Sequence, residues 1–202
     1  MPDTVTNPTK ESSRSRIEKA AKSHFARFGF EGASTRHIAD SAGVAQSLLL
    51  YHFKTKEVLW QTIMDQLFAR ADNIRTAVAE SSGEPAATRL MAGVAEFVDL
   101  CFDDADLHRL MTLEGRSQSS RLEWMVETHL RPFFDQTISL IKDGQHEGDI
   151  RPGNPTLFHY SIIAIAGTIY SLEPEMSLLD PEYSKPDRDR ILELIRDMIL
   201  IH

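Results

Sequence analysis

Apolar residues recur along the chain at intervals of three and four. No stretch shows the strict alternation that a half-buried strand needs, so the pattern predicts an all-α protein. Ile17, Ala20, Ala21, His24, Phe25 and Phe28 fall on one face of a helix expected to stop at Gly29, a residue suited to the left-handed position beyond a helix end. Ser34 or Thr35 can cap a short helix through Ala42, Gly43 follows where the turn needs positive φ, and another short helix is expected from about Gln46 to His52. Lys56 begins a long helix with two apolar stripes, one through Leu59, Ile63 and Leu67, the other through Trp60, Met64, Ala71, Ile74 and Val78. Two stripes imply two cores, so this helix is expected to link an N-terminal head to a larger body.

Beyond Ser81-Ser82-Gly83 the predicted helices are longer. Pro85 suits a first turn, after which Leu90, Val94, Phe97, Val98 and Cys101 share a face. Leu107, Leu110, Met111 and Leu113 mark a shorter helix ending near Gly115. Ser120 and Glu123 have the capping-box spacing and open a segment through Trp124, Met125, His129, Phe133 and Ile141 to about His146, which Pro132 must kink or interrupt. Asn154 before Pro155 signals the start of a nearly all-apolar helix, Leu157 to Tyr170, expected to be buried on every side. A loop with three prolines is expected from Glu173 to Pro186, and Asp187 can cap a last helix carrying Ile191, Leu192, Ile195, Met198 and Ile199. The expected division is a mobile arm at 1–13, a head at 14–70 and a body at 71–202.

Composition narrows the function classes. The chain has 202 residues and one cysteine, so no intramolecular disulfide can form, and its core needs none at this length. The N-terminal residues lack the apolar core of a signal peptide and no run of 18 apolar residues occurs, so a cytoplasmic location, associated with the nucleoid if the partner is DNA, and no membrane partner are expected. The net charge of -8 argues against a nucleic-acid partner only if it is evenly spread. Residues 1–60 carry nine Lys/Arg against six Asp/Glu, a net +3, and the other 142 carry 13 against 24, a net -11. Eight histidines raise the question of metal, but there is no H-E-x-x-H and no cysteine pair. Asp103, Asp104, Asp106 and His108 are better explained as a solvated helix start. Gly115-x-Ser117-x-Ser119 lacks the final glycine of a nucleophile elbow. No catalytic residue, metal or cofactor is expected.

Two short helices around a glycine turn, Ser34 to Phe53, form a helix-turn-helix candidate. Ile38, Ala39, Val44, Leu49 and Phe53 belong to its core, leaving Arg36, Gln46, Ser47, Leu48, Tyr51 and His52 outward. Lys54 and Lys56 follow where a cation and a helix N-terminus can meet a phosphate. The stretch FARFGFEGASTRHIADSAGVAQSLLLYHFKTKEVLW, Phe25 to Trp60, resembles the tetracycline-repressor (TetR) family of bacterial transcription regulators, with its FG.EG..T, IA..AGV and YHF..KE.L elements in order. Over the rest of the chain the resemblance lies in length, helical layout and the segment GQHEGDIRP.

The resemblance implies an N-terminal three-helix helix-turn-helix DNA-binding domain and a C-terminal helical bundle that binds a ligand and dimerises. It implies a homodimeric repressor released from a palindromic double-stranded DNA operator by a small-molecule effector. The same fold working through a protein partner, or as an activator or architectural DNA-binding protein, is the alternative. Residue by residue, Thr35 would hold a phosphate and Arg36 reach a base edge; Gln46, Ser47 and Leu48 would enter the major groove; Tyr51, His52 and Lys56 would hold phosphates. Leu50 stands where the family usually has Tyr.

Candidate effector contacts are Phe97, Cys101, His108, Trp124, Met125, His129, Phe133, Tyr160 and Tyr170, with ordinary core as the other reading. The acidic body favours neutral or cationic effectors over anionic ones. Leu157, Ile162, Ala164, Ile165, Ala166, Ile191, Ile195, Met198 and Ile199 are the candidate dimer interface, or else the centre of the protomer's own core.

Overall fold

The computed structural model of the protein describes residues 11–184 and 186–201, so most of the arm expected at 1–13 lies outside the described residues. The described chain is helical apart from one isolated antiparallel bridge between Ile150 and Leu200, and it divides into two compact units, one ending at Ile63 and the other beginning at Met64. Among the described residues no single helix is long and apolar enough to cross a membrane.

The first unit holds α1 (Ser13–Gly32), α2 (Thr35–Ser41), α3 (Gln46–Phe53) and the start of α4 (Lys56–Glu80). The Ser12 side chain caps α1 by accepting from Ser15 N, and Ile17, Ala21 and Phe25 are fully buried. Gly29 takes φ 68°, ψ 177°, so the helix breaks there as its sequence suggests; it then resumes to Gly32 rather than stopping. The break also reverses the expectation for Phe28, which is 49% exposed. Beyond Gly29 it is Phe30 that turns inward, stacked on Phe25 with ring centroids 6.0 Å apart and edge-on to Trp60 at 6.3 Å. Gly43 supplies positive φ in the α2–α3 turn, where Val44 N donates to Ala39 O at 3.0 Å. Ile38, Ala39, Leu49 and Phe53 are buried beneath that turn and Val44 is half-buried. Thr55 starts α4, its Oγ1 accepting from Val58 N at 3.1 Å.

The second unit contains the rest of α4 with α5 (Ala86–Asp103), α6 (Ala105–Glu114), α7 (Ser120–Met125), α8 (Arg131–Glu147), α9 (Pro155–Ser171), α10 (Glu173–Leu179) and α11 (Arg188–Ile199). α5 is the centre, packed against α8, α9 and α11 and burying Leu90, Val94, Val98, Leu100 and Cys101. Asn154 and Asp187 cap α9 and α11 through their side chains, as expected. Ser119, one residue before the expected position, caps α7 by accepting from Leu122 N. Pro132 has no N–H to donate and its ring would strike the Thr128 carbonyl, so the α-helical ladder cannot run through it. The chain widens instead into a π-helical turn, Val126–Leu130, in which Arg131 N donates to Val126 O.

Three further expectations are corrected. The proline-rich loop contains α10, because Pro174 falls in a first turn between Glu173 and Glu175, where a missing N–H costs nothing and acids favour a helix start. α9 is not buried all round: Leu157 is 68% exposed, Tyr160 59%, and Ala164 is exposed on the same stripe. The candidate dimer residues Ile162, Ala166, Ile191, Ile195 and Ile199 are buried within the protomer, because α9 and α11 turn those faces onto α5 and each other. With almost all their area already covered, they have little to offer a partner. Leu157 and Ala164 remain exposed, Ile165 and Met198 half-buried.

Candidate nucleic-acid interface and ligand cavity

In the first unit, the buried side of α2 and α3 fixes what the other side presents. Gln46 Nε2 donates to Thr35 Oγ1 at 3.0 Å, which ties the first residue of α3 to the first residue of α2. Arg36, Gln46, Ser47 and Leu48 are exposed around this joint, and Tyr51, one turn along α3 from Ser47 and Leu48, is 79% exposed with its ring edge-on to His52. The surface thus offers a guanidinium, a carboxamide and hydroxyls, groups that pair with base edges and phosphates, on helices that its own core holds rigid. His52 is half-buried and its Nε2 lies 3.2 Å from Ser13 Oγ on α1.

Lys56 departs from its expected place. Its Nζ donates to Phe30 O at 2.8 Å and Ala33 O at 3.2 Å and stands 4.3 Å from the centre of the Phe30 ring. The ammonium therefore closes the carbonyl end of broken α1, and two of its three protons already have partners. Lys54, in contrast, is exposed just past the end of α3, at φ 59°. The cation presented to solvent at this corner is Lys54.

In the second unit, α4 to α9 and the π-helical turn enclose a cavity of about 600 Å³. Phe97, His108, Met125, His129, Phe133 and Tyr160 line it, joined by Met111 and by Phe68, Asp72, Thr112, Arg116, Arg131, Phe134 and His159, which periodicity does not single out. Cys101, Trp124 and Tyr170 do not line it. Cys101 is buried on α5, with its thiol pushed up to about 12 by burial, first, and by Asp104. Tyr170 packs edge-on against Phe102. Trp124 stands behind the wall, edge-on to His129 at 5.2 Å.

The wall's histidines differ in setting. Burial lowers His108 below the usual histidine range and takes His159 down to about 4, so both rings are neutral at neutral pH. His108 lies against α9 where Gly167 leaves room: a Cβ there would strike the ring. Its Nδ1 is 3.4 Å from Ser171 Oγ. His129, in the π-helical turn, is stacked on Phe68 at 4.6 Å and has Nε2 3.0 Å from Asp65 Oδ1, so one wall residue is attached twice to α4.

Residues 17–63 match the family described as Bacterial regulatory proteins, tetR family, and every helix-turn-helix residue named above except Ser13 lies in that match. The transcriptional regulatory protein RaaS of Mycobacterium tuberculosis is 30% identical over 154 residues, 75% of this chain and 66% of RaaS. The chain belongs to the tetR family. The transcriptional regulator RutR of Escherichia coli is 28% identical over 143 residues, 69% of this chain and 65% of RutR, so the matched part spans just under two thirds of these relatives. The repressor AcnR of Corynebacterium diphtheriae is 24% identical over 198 residues and matched across 95% of its length. Among solved structures, a tetR-family regulatory protein from Rhodococcus RHA1 has a TM-score of 0.64 at 26% identity, covering 94% of this chain and 98% of that one. HlyIIR, a hemolysin II transcriptional regulator, has a TM-score of 0.72 at 21% identity over 90% of this chain and 96% of its own, a likeness of fold.

For this tetR-family chain the local signals in the head were enough to place its exposed groups, with Lys56 the exception. In the body the missed lining residues come from segments far apart in sequence, and only the spacing of Arg131, Phe134 and His159 around Phe133 on packed helices brings them together. Nothing in the sequence marks the Gly167–His108 contact except the glycine itself, in a helix interior where it needs a packing reason.

Proposed function

We propose that this chain is a DNA-binding regulator of transcription, acting as a homodimeric repressor that leaves a palindromic operator when a small molecule occupies the body cavity. The observation that carries the reading is the exposed cluster of Arg36, Gln46, Ser47 and Tyr51 on a helix-turn-helix whose reverse side is fully buried. In the complex Arg36 takes a guanine edge and Gln46 an adenine edge, each bidentately. Gln46 gives up its bond to Thr35 to do so, which frees the Thr35 hydroxyl for a phosphate. Tyr51 and Lys54 hold the backbone, and Lys54 takes the part that the sequence suggests for Lys56. The relatives' names are those of transcriptional regulators and repressors, which supports a binding role rather than an enzymatic one.

Dimerisation in this reading uses the outer stripe of α9, Leu157, Tyr160 and Ala164, with exposed Leu194 of α11. A two-fold axis there repeats the patch on both subunits and lets two recognition helices enter the groove one turn apart, about 34 Å. Release is a shift of population: the ligand favours the arrangement that cannot bind the operator. His129 is the coupling residue, because a ligand that moves its ring acts on α4 through Asp65 and Phe68.

The test compares Q46A with K54A on duplexes of varied sequence. Q46A is expected to change sequence preference at one position, at a cost of about 1–3 kcal/mol on the preferred duplex, whereas K54A weakens all duplexes alike and lowers the salt slope by about 1. If both variants lose specificity to the same degree, these roles are wrong.

A further inference from the structure

The mouth of the cavity carries a charge opposite to that of the body around it. Arg116, in the turn after α6, and Arg131, the first residue of α8, both line the cavity and are both exposed to solvent. Among the described residues neither is held by a carboxylate. Glu114, two residues from Arg116, is occupied by Ser119 Oγ at 2.6 Å and Arg121 Nε at 3.2 Å. The one lining carboxylate, Asp72, lies 3.6 Å from Arg75 Nε. Deeper in, the walls are Phe68, Phe97, Phe133, Phe134, Leu100 and Met125. His159 and His108 contribute neutral rings there, because burial disfavours their charged forms.

We propose that the cavity binds an amphipathic organic acid, with an aliphatic or aryl body among the phenyl rings and a carboxylate at the mouth between Arg116 and Arg131. A guanidinium presents two parallel N–H donors to a carboxylate, a fit that an amide or an amine lacks. Among the described residues neither guanidinium is engaged in an ion pair, and Asp72, the exposed carboxylate of the lining, faces Arg75 instead. The net charge of the body pointed instead to neutral or cationic ligands. At physiological salt, however, charges farther than about 8 Å are screened, so the groups in contact decide. The proposal rests on the reading of the cavity as a ligand site and assigns its ligand class.

The experiment is calorimetric titration of the full chain with decanoate, decanamide and decylamine, which share a body and differ in head group. Decanoate is expected to bind at least about tenfold more tightly than decanamide, and decylamine most weakly, the difference a charge-assisted bond gives over a neutral one. In the double variant R116Q/R131Q decanoate should fall to the affinity of decanamide. Decanamide itself should stay within about twofold, which also shows that the variant is folded. Equal or tighter binding of decanamide or decylamine, absence of binding by all three, or a preference for decanoate that survives in the double variant would overturn the proposal. Adding decanoate to the protein bound to a selected duplex separates the two readings. Decanoate that binds with the stated preference but leaves the DNA complex intact removes the effector role and leaves the ligand class standing.

Discussion

Lys56 shows how one side chain can have two plausible uses and the fold can choose between them. Its position at the start of α4 suits a phosphate contact, but the same position puts Nζ within reach of Phe30 O and Ala33 O, carbonyls left over where α1 breaks at Gly29. Substitution K56M should therefore lower the stability of the head, by about 1–3 kcal/mol in a denaturant titration, because two part-buried acceptors lose a charged donor. If K56M weakened DNA binding with no change in stability, the ammonium would be a phosphate ligand after all. Gly167 makes a comparable case in the body. G167A puts a methyl group into the His108 ring and is expected to destabilise by about 1–3 kcal/mol, with H108A in the same chain recovering most of the loss. His159 sets a pH dependence. Burial lowers its folded value to about 4 from 6.5, so the unfolded chain takes up the proton first as pH falls. The stability it contributes is complete above about 6.5 and is lost progressively toward 4, and H159Q should remove that part of the slope in thermal melts.

At the scale of elements, legibility followed how local the determining interaction is. Caps and turns were readable because they are settled within four residues: Asn154, Asp187 and Gly43 do what their chemistry suggests. N154A should cost about 1 kcal/mol, since Thr156 N and Leu157 N both donate to its side chain. Errors arose where a residue type has two meanings. Prolines mark both loops and first turns, and Pro174 proved to be the second kind. Ser119 and Ser120 are both able to cap, and it is Ser119 whose Oγ accepts from Leu122 N while it also meets Glu114. Pro132 must interrupt its helix, but periodicity cannot say whether a kink or a π-helical turn results. That difference has consequences for the site, because the turn is what carries His129 to both the cavity and α4.

For the whole molecule, the contrast between a head of +3 and a body of -11 is the feature that sequence reveals most plainly, and it keeps phosphate contact to one end of the chain. The assembly was harder to read. Most of the apolar content of α9 and α11 covers α5, and among the described residues of these two helices the stripe from Leu157 to Ala164 and Leu194 are left exposed for a partner. Exposure, unlike periodicity, depends on which neighbour a face meets. A charged substitution on that stripe, Y160E, is expected to convert a dimer to a monomer in sedimentation and to leave the helical content intact. The central claim, that the face around Arg36 and Gln46 reads DNA, is tested most directly by selecting bound duplexes from a randomised pool with the full-length protein. The account predicts recovery of a two-fold symmetric site with half-site centres about 10 base pairs apart, and a changed base preference within each half-site for Q46A. Recovery of no enriched sequence, or of the same site by the wild type and by Q46A, would contradict it.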